Sequence, residues 1–169
     1  MATIKYVYSS REDLKDVPLE RPDWELYTDG SSFMEQGVRY AGYAVTTKTT
    51  VREAGALAST TSAQKAELIA LIRALEISKD KRVNIWTDSK YAFGVVHVHG
   101  ALWKERGLLS SQGSNIKHQT EILRLLQAVQ KPDQVAIMHC KAHQIGNTKI
   151  IAGNNLADRT EKKKKKEKR

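Results

Sequence analysis

TSAQKAELIALIRALEISKDKRVNIWTDSKYAF, running from Thr61 to Phe93, carries the reading of the fold. Leu68, Leu71 and Leu75, with Ile72 between them, recur at helical spacing behind a capping residue, Thr61 or Ser62. VNIWT from Val83 is a compact apolar strand, and Asp88-Ser89 after it can cap a second helix through YAFGVV. Upstream, WELYT from Trp24 is a β-favouring run that Asp29-Gly30-Ser31-Ser32 is expected to stop as a turn. YAGYAVTT from Tyr40 and VREAGAL from Val51 are two more strands, close enough to pair antiparallel. Downstream, Gly100 and Gly107 set off a separate short helix from Trp103 to Arg106. Asn115 to Val129 reads as another helix, stopped by Pro132. QVAIMHC from Gln134 is a fifth strand, and NNLADR from Asn154 begins a terminal helix. The sum is an α/β layer arrangement. Its mixed sheet has about five strands, three antiparallel and then two parallel, flanked by helices.

The chain has 169 residues, about the size of one domain, with 40% hydrophobic and 28% charged residues. That composition excludes a membrane span, a fibrous repeat and a wholly disordered chain. The formal net charge is +9, which points to a polyanionic partner. The last nine residues, EKKKKKEKR, hold seven basic and two acidic side chains, a net +5 that leaves +4 for the other 160. Residues 161–169 are therefore read as a basic, disordered tail, either a solvated end, a loose phosphate contact or an import signal. Residues 1–22, with two prolines and dense charge, are read as a linker from an upstream region, which leaves 23–160 as the domain. Cys140, the single cysteine, cannot form an internal disulfide, and Met1 opens no charged-then-apolar leader. The expected setting is intracellular and reducing.

Four acids stand at the ends or first turns of these elements: Asp29, Glu67, Asp88 and Asp158. Each has an ordinary explanation, respectively a turn residue, a solvated helix residue, an N-cap and a helix-surface acid. Together they say more. If the first and fourth strands are parallel neighbours, their carboxyl ends bring Asp29 and Asp88 side by side, where open α/β sheets place their sites. Clustered carboxylates repel one another unless cations neutralise them, and hard oxygen donors suit Mg²⁺ or Mn²⁺.

YTDGSS (Tyr27 to Ser32), TSAQKAELIAL (Thr61 to Leu71), TDSKYAF (Thr87 to Phe93), HVHGALWKERGLL (His97 to Leu109), HCKAHQIG (His139 to Gly146) and GNNLAD (Gly153 to Asp158) follow one another in this order. In that order the chain resembles retroviral ribonuclease H domains of reverse transcriptase, and the segment around Trp103 is similar to the gammaretroviral kind. The resemblance covers nearly everything from Trp24 to Asp158. It implies a ribonuclease H-like fold and an endonuclease that cuts the RNA strand of an RNA·DNA hybrid with two divalent metal ions, Mg²⁺ with Mn²⁺ as substitute. It places Asp29, Glu67, Asp88 and Asp158 on the metal-binding carboxylates, and His143 on a loop histidine that serves proton transfer or product release.

The same resemblance implies that Ser62, Ala63 and Gln64 run along the hybrid, Lys90 and Tyr91 lie on the DNA side, and Asn154 lies near the RNA strand. Lys104 and Arg106 belong to a basic helix near Trp103 that is less densely charged than in relatives. The chain also departs from the family at Lys141-Ala142-His143, where relatives read Pro-Gly-His. The implied setting is a reverse transcription complex in the virion and host-cell cytoplasm. There an upstream polymerase or connection region belongs to the same polyprotein, no membrane is involved, and the isolated domain is a monomer.

Three other readings compete. His97 and His99 with His139, Cys140 and His143 resemble zinc ligands, but HCxxH lacks a second paired-cysteine motif. A catalytically weak or inactive module of the same fold would bind nucleic acid without cutting it. An integrase- or resolvase-type nuclease would lack the YTDGSS and TSAQKAEL strings.

Overall fold

A computed structural model of the chain describes residues 10–107 and 116–141. The strands are β1 (Trp24–Glu35), β2 (Val38–Thr46), β3 (Val51–Leu57), β4 (Arg82–Thr87) and β5 (Gln134–His139). They form one five-stranded sheet in the order β3-β2-β1-β4-β5. β1 pairs antiparallel with β2, β2 antiparallel with β3, and β1 and β5 each run parallel to β4. The helices are α1 (Ala63–Ile77), α2 (Lys90–Gly94), a π turn (Val95–His99), α3 (Gly100–Glu105) and α4 (Gln119–Ala128). The mixed α/β sheet read from the sequence is the sheet observed. NNLADR lies outside the described residues.

β1 does not stop at Asp29-Gly30. It runs on through Ser31 and Ser32 to Glu35, and the chain reverses at Gln36-Gly37, whose φ angles of 52° and 78° make a two-residue hairpin. Gly30 is needed for a packing reason, because α1 crosses β1 at this point. A Cβ on Gly30 would lie 2.2 Å from the Ala66 carbonyl oxygen.

Ser62, not Thr61, caps α1, its hydroxyl accepting from Lys65 N at 3.1 Å. The helix buries Leu68, Leu71, Ile72 and Leu75 against Leu26, Val45, Val83 and Ile85. Each such side chain contributes about 1.5–3 kcal/mol. The next residue along each of β1 and β4 faces the other side of the sheet, where Tyr27 and Trp86 pack with Ala136 and Met138.

Two further helix readings are corrected. Gly100 does not separate helices: α2, the π turn and α3 form a continuous rod, with Gly94, Val95, His99 and Gly100 all in right-handed helical backbone. The helix expected from Asn115 begins at Gln119, because His118 has φ 63° and cannot continue a right-handed turn. Residues 10–22, within the span read as linker, pack on the sheet, meeting the outer edge of β5 at Lys15 and then crossing a face of the sheet at Leu19. Lys15 forms a parallel bridge to Ala136, and the Arg11 guanidinium donates to the carbonyls of Val129, Pro132 and Asp133. The Asn84 side chain exchanges hydrogen bonds with the Leu19 backbone. This strap covers a strand edge that would otherwise be open.

A charge network ties β3 to two helices. Arg73 grips both Glu53 oxygens at 2.5 and 2.7 Å and donates to Glu76 at 2.6 Å, while Arg124 reaches Glu76 at 2.7 Å. The Arg73 hydrogen bonds hold Glu53 below the usual carboxylate range. Burial pushes Glu76 up, but Arg124 and Arg73 outweigh it and leave its pKa lowered. Both acids therefore contribute stability above their unfolded pKa near 4.5, and the contribution is lost as pH falls through the lower folded values. Glu53→Gln is expected to cost about 2 kcal/mol at pH 7 and to flatten the fall of the melting temperature below pH 5. Melting curves from pH 7 to pH 3 check this, and parallel curves for variant and parent would refute it.

Candidate active site

Thr28 and Thr87 are the last pair of the parallel β1–β4 ladder. The residues that follow, Asp29 and Asp88, therefore stand side by side at the carboxyl end of β4. Asp29 is not past its strand, as the sequence was read, but within it, paired with Ala44 and only 6% exposed. Asp88 is half-buried, and Ser89 takes the capping role: its hydroxyl accepts from Ala92 N at 3.0 Å. The reading of Asp88 as a mere N-cap is thereby removed.

Glu67 comes from the second turn of α1, directly after the Ala66 carbonyl that lies over Gly30. Burial pushes its pKa up to about 7, a Ser89 hydrogen bond partly offsets this, and the negative charge of Asp88 adds to it. Cys140, whose N donates to the Thr87 carbonyl, lies beside the same acids. Burial and the charges of Asp88 and Asp29 push its thiol to about 12, so it stays neutral and is no nucleophile.

Asp88 thus stands between two other acids, beside Asp29 across the β1–β4 pair and close enough to Glu67 of α1 to raise its pKa, and oxygen donors with like charge crowded in this way suit a hard divalent cation. Among the described residues no three His, Cys, Asp or Glu side chains close on one point as a metal site. Asp158 and His143 lie outside the described residues, as does Asn154. The three described histidines of the zinc reading have separate uses. His97 Nε2 lies 2.9 Å from the Ile137 carbonyl oxygen, His99 stacks on Trp103, and His139 meets the edge of Phe93.

Of the expected hybrid contacts, Ser62, Ala63 and Gln64 lie together at the start of α1, the last two exposed. Lys90 and Tyr91 open α2. Burial raises the Tyr91 pKa, and the charges of Glu121 and Glu67 add to it, which places the ring beside the acids. The structure adds a residue that the sequence did not mark, His118. Its ring meets Tyr91 edge-on at 6.3 Å, and its Nε2 is buried with no hydrogen-bond partner among the described residues. A lone histidine within a helical pattern gave no signal of this. Lys104 and Arg106 are exposed at the far end of the rod, away from the acids along the chain.

The RNase H family matches residues 21–166. The chain belongs to the RNase H family. Membership makes it a ribonuclease H, a phosphodiester hydrolase of a family that is in general dependent on divalent metal. It is 54% identical over 156 residues to the Gag-Pol polyprotein of avian reticuloendotheliosis virus. It is 51% identical to both the Pol polyprotein of radiation murine leukemia virus (strain Kaplan) and the Gag-Pol polyprotein of baboon endogenous virus (strain M7). These alignments cover 92%, 89% and 90% of this ribonuclease H but only 14%, 26% and 9% of the polyproteins. The solution structure of the PFV RNase H domain superposes with a TM-score of 0.71 at 25% identity, covering 86% of this chain and 96% of that one. A foamy viral protease-reverse transcriptase in complex with RNA/DNA hybrid shares the fold, with a TM-score of 0.67 at 22% identity over 90% of this chain and 23% of that one. No helix among the described residues is long and apolar enough to cross a membrane.

Proposed function

We propose that this ribonuclease H is an endonuclease that hydrolyses the RNA strand of RNA·DNA hybrids, with Asp29, Glu67, Asp88 and Asp158 holding two divalent ions, Mg²⁺ or Mn²⁺. The observation that carries the reading is the parallel register that ends at Thr28 and Thr87 and sets Asp29 and Asp88 side by side, with Glu67 half-buried near Asp88. Such ions, when bound, supply a water of lowered pKa and charge stabilisation at the leaving oxygen.

The chain's own residues supply the rest. The buried strand position of Asp29 fixes its carboxylate with little freedom, and the Ser89 hydroxyl steadies Glu67. His143 handles a proton or the departing product. Ser62, Ala63 and Gln64 contact the hybrid along its groove, Lys90 and Tyr91 its DNA strand, and Asn154 its RNA strand. Recognition is through phosphates, shape and the 2′-hydroxyl, so it is neutral to sequence. The acidic cluster meets a polyanion only when cations offset it, while Lys104 and Arg106 bind the phosphate backbone of the hybrid further along.

The relatives are polyproteins of which this chain matches a small part. That supports a place within a reverse transcription complex, in the virion and the host-cell cytoplasm, beside an upstream polymerase or connection region. The part that stands alone is a monomer. Residues 1–22 join that region to the domain of 23–160, and 161–169 form a basic tail.

The test is cleavage of an end-labelled RNA·DNA hybrid beside double-stranded DNA and double-stranded RNA, with Mg²⁺ and with EDTA. Cutting confined to the RNA of the hybrid, and stopped by EDTA, is the expected result. Retardation of the hybrid without cutting would make the chain a binding module and overturn the proposal.

A further inference from the structure

The rod from Lys90 to Glu105 carries two groups of residues that the proposed function assigns to the hybrid, and a π turn lies between them. Lys90 and Tyr91 open the rod beside the acids, and Lys104 and Arg106 close it. At 1.5 Å per residue, Lys90 and Lys104 stand about 21 Å apart, a length over which a duplex presents about a dozen phosphates. Whether both ends reach one duplex depends on their relative rotation about the axis. A π turn accommodates one extra residue, so it turns everything after it by about 100° compared with an uninterrupted α-helix.

The turn has a specific closure. Gly100 N–H donates to the Val95 carbonyl five residues back, the bond that defines the π turn. Gly100 is also buried where the rod crosses α4. A Cβ there would lie 2.8 Å from the Val95 carbonyl oxygen, 3.2 Å from Leu126 Cδ2 and 3.3 Å from Val95 Cγ1. Backbone and buried side chain obstruct it together. Only glycine allows the extra residue to be kept while the rod stays seated on α4. His97, within the turn, anchors the same stretch to the sheet through its 2.9 Å contact with the Ile137 carbonyl oxygen.

We propose that Gly100 is a positioning residue for the substrate. Through the π turn it sets the rotation of Lys104 and Arg106 relative to Lys90 and Tyr91, so that both ends of the rod engage one hybrid. The proposal rests on the reading of Lys104 and Arg106 as hybrid contacts. Gly100 touches no reacting atom, and its replacement acts on binding and not on the chemical step.

Gly100→Ala is expected to raise KM for the hybrid about tenfold with kcat within about twofold, and to lower the salt slope of hybrid binding by about two. The deciding measurement is a double-mutant cycle with the pair Lys104→Gln and Arg106→Gln, read as hybrid affinity in Ca²⁺. The pair should weaken the parent about tenfold yet change Gly100→Ala by less than about twofold. Additive losses would overturn the positioning role, because Gly100 would then act elsewhere. No effect of the pair in the parent would instead sink the reading of Lys104 and Arg106, and with it this proposal. Circular dichroism and melting curves accompany each variant. Should Gly100→Ala not fold, deletion of the exposed Val98 is added to it: a plain α-helix one residue shorter keeps the parent rotation of Lys104 and Arg106 without the π turn, so the combined variant should bind the hybrid within about twofold of the parent, and a loss of about tenfold would overturn the positioning role.

Discussion

Asp29→Asn is expected to lower single-turnover cleavage of an RNA·DNA hybrid by at least about a thousandfold while the folded state is kept. The magnitude follows from what is removed. A carboxylate that holds a divalent ion contributes several kcal/mol to the transition state, and each 1.36 kcal/mol is a factor of ten. Asparagine has nearly the same shape, so β1 keeps its pairing with β2 and β4. The buried position, 6% exposed, loses a charge and not volume. In the absence of divalent ions the variant should melt at the parent's temperature or slightly above it, since the negative charge beside Asp88 is gone. Asp88→Asn should behave in the same way. The loss should lie in kcat, with hybrid affinity in Ca²⁺ changed far less. Near-parent turnover by either purified variant in Mg²⁺ would sink the assignment. A loss accompanied by a collapsed melting temperature would show only that the fold had failed.

How much of this was legible beforehand depends on the range of the physical signal. The α1 stripe of Leu68, Leu71, Ile72 and Leu75 is a local pattern, and it is buried as its spacing predicts. The apolar run of β4 is likewise read from within itself. Asp29-Gly30 misled because Asp-Gly is a turn signal only where the chain is free to turn. Here the glycine answers to a backbone arriving from thirty-six residues further on, Ala66, and no local pattern reports that.

Gly100 misled for the same reason, since the carbonyl and the leucine that exclude a side chain there belong to the π turn and to α4. The true hairpin, Gln36-Gly37, carries a weaker local turn signal than the Asp29-Gly30 dipeptide seven residues earlier. For the site, the acids could be named from the motif strings. The side-by-side placement of Asp29 and Asp88 required the parallel register, and the share of His118 required a tertiary contact with Tyr91. Pairing and contact are properties of the sheet and its packing, not of any one stretch of chain.

Gly30→Ala is the most severe single substitution the structure predicts for stability, and it should remove activity as well. Its Cβ would stand 2.2 Å from the Ala66 oxygen, 2.4 Å from the Ala66 carbonyl carbon and 2.7 Å from the Glu67 nitrogen. All three are backbone atoms of α1, so no rotamer change relieves the contact. Either β1 bends away from β2 and β4, or the whole helix lifts from the sheet and uncovers Leu68, Leu71, Ile72 and Leu75. Overpacking that side chains can absorb costs about 1–3 kcal/mol, so a contact that only backbone displacement can absorb should exceed about 4 kcal/mol. For a domain of this size that lowers the melting temperature by about 10 °C or more. The atoms displaced are those that carry Glu67, and the strand that must yield carries Asp29, so the separation of the two carboxylates changes with the same motion. Activity per folded molecule, measured well below the lowered melting point, should therefore fall at least about a hundredfold, since a misplacement of about 1 Å costs that much. A melting temperature within about 2 °C of the parent would mean that α1 does not seat on Gly30. A large loss of stability with full activity in the folded fraction would mean that the spacing of Asp29 and Glu67 is set elsewhere.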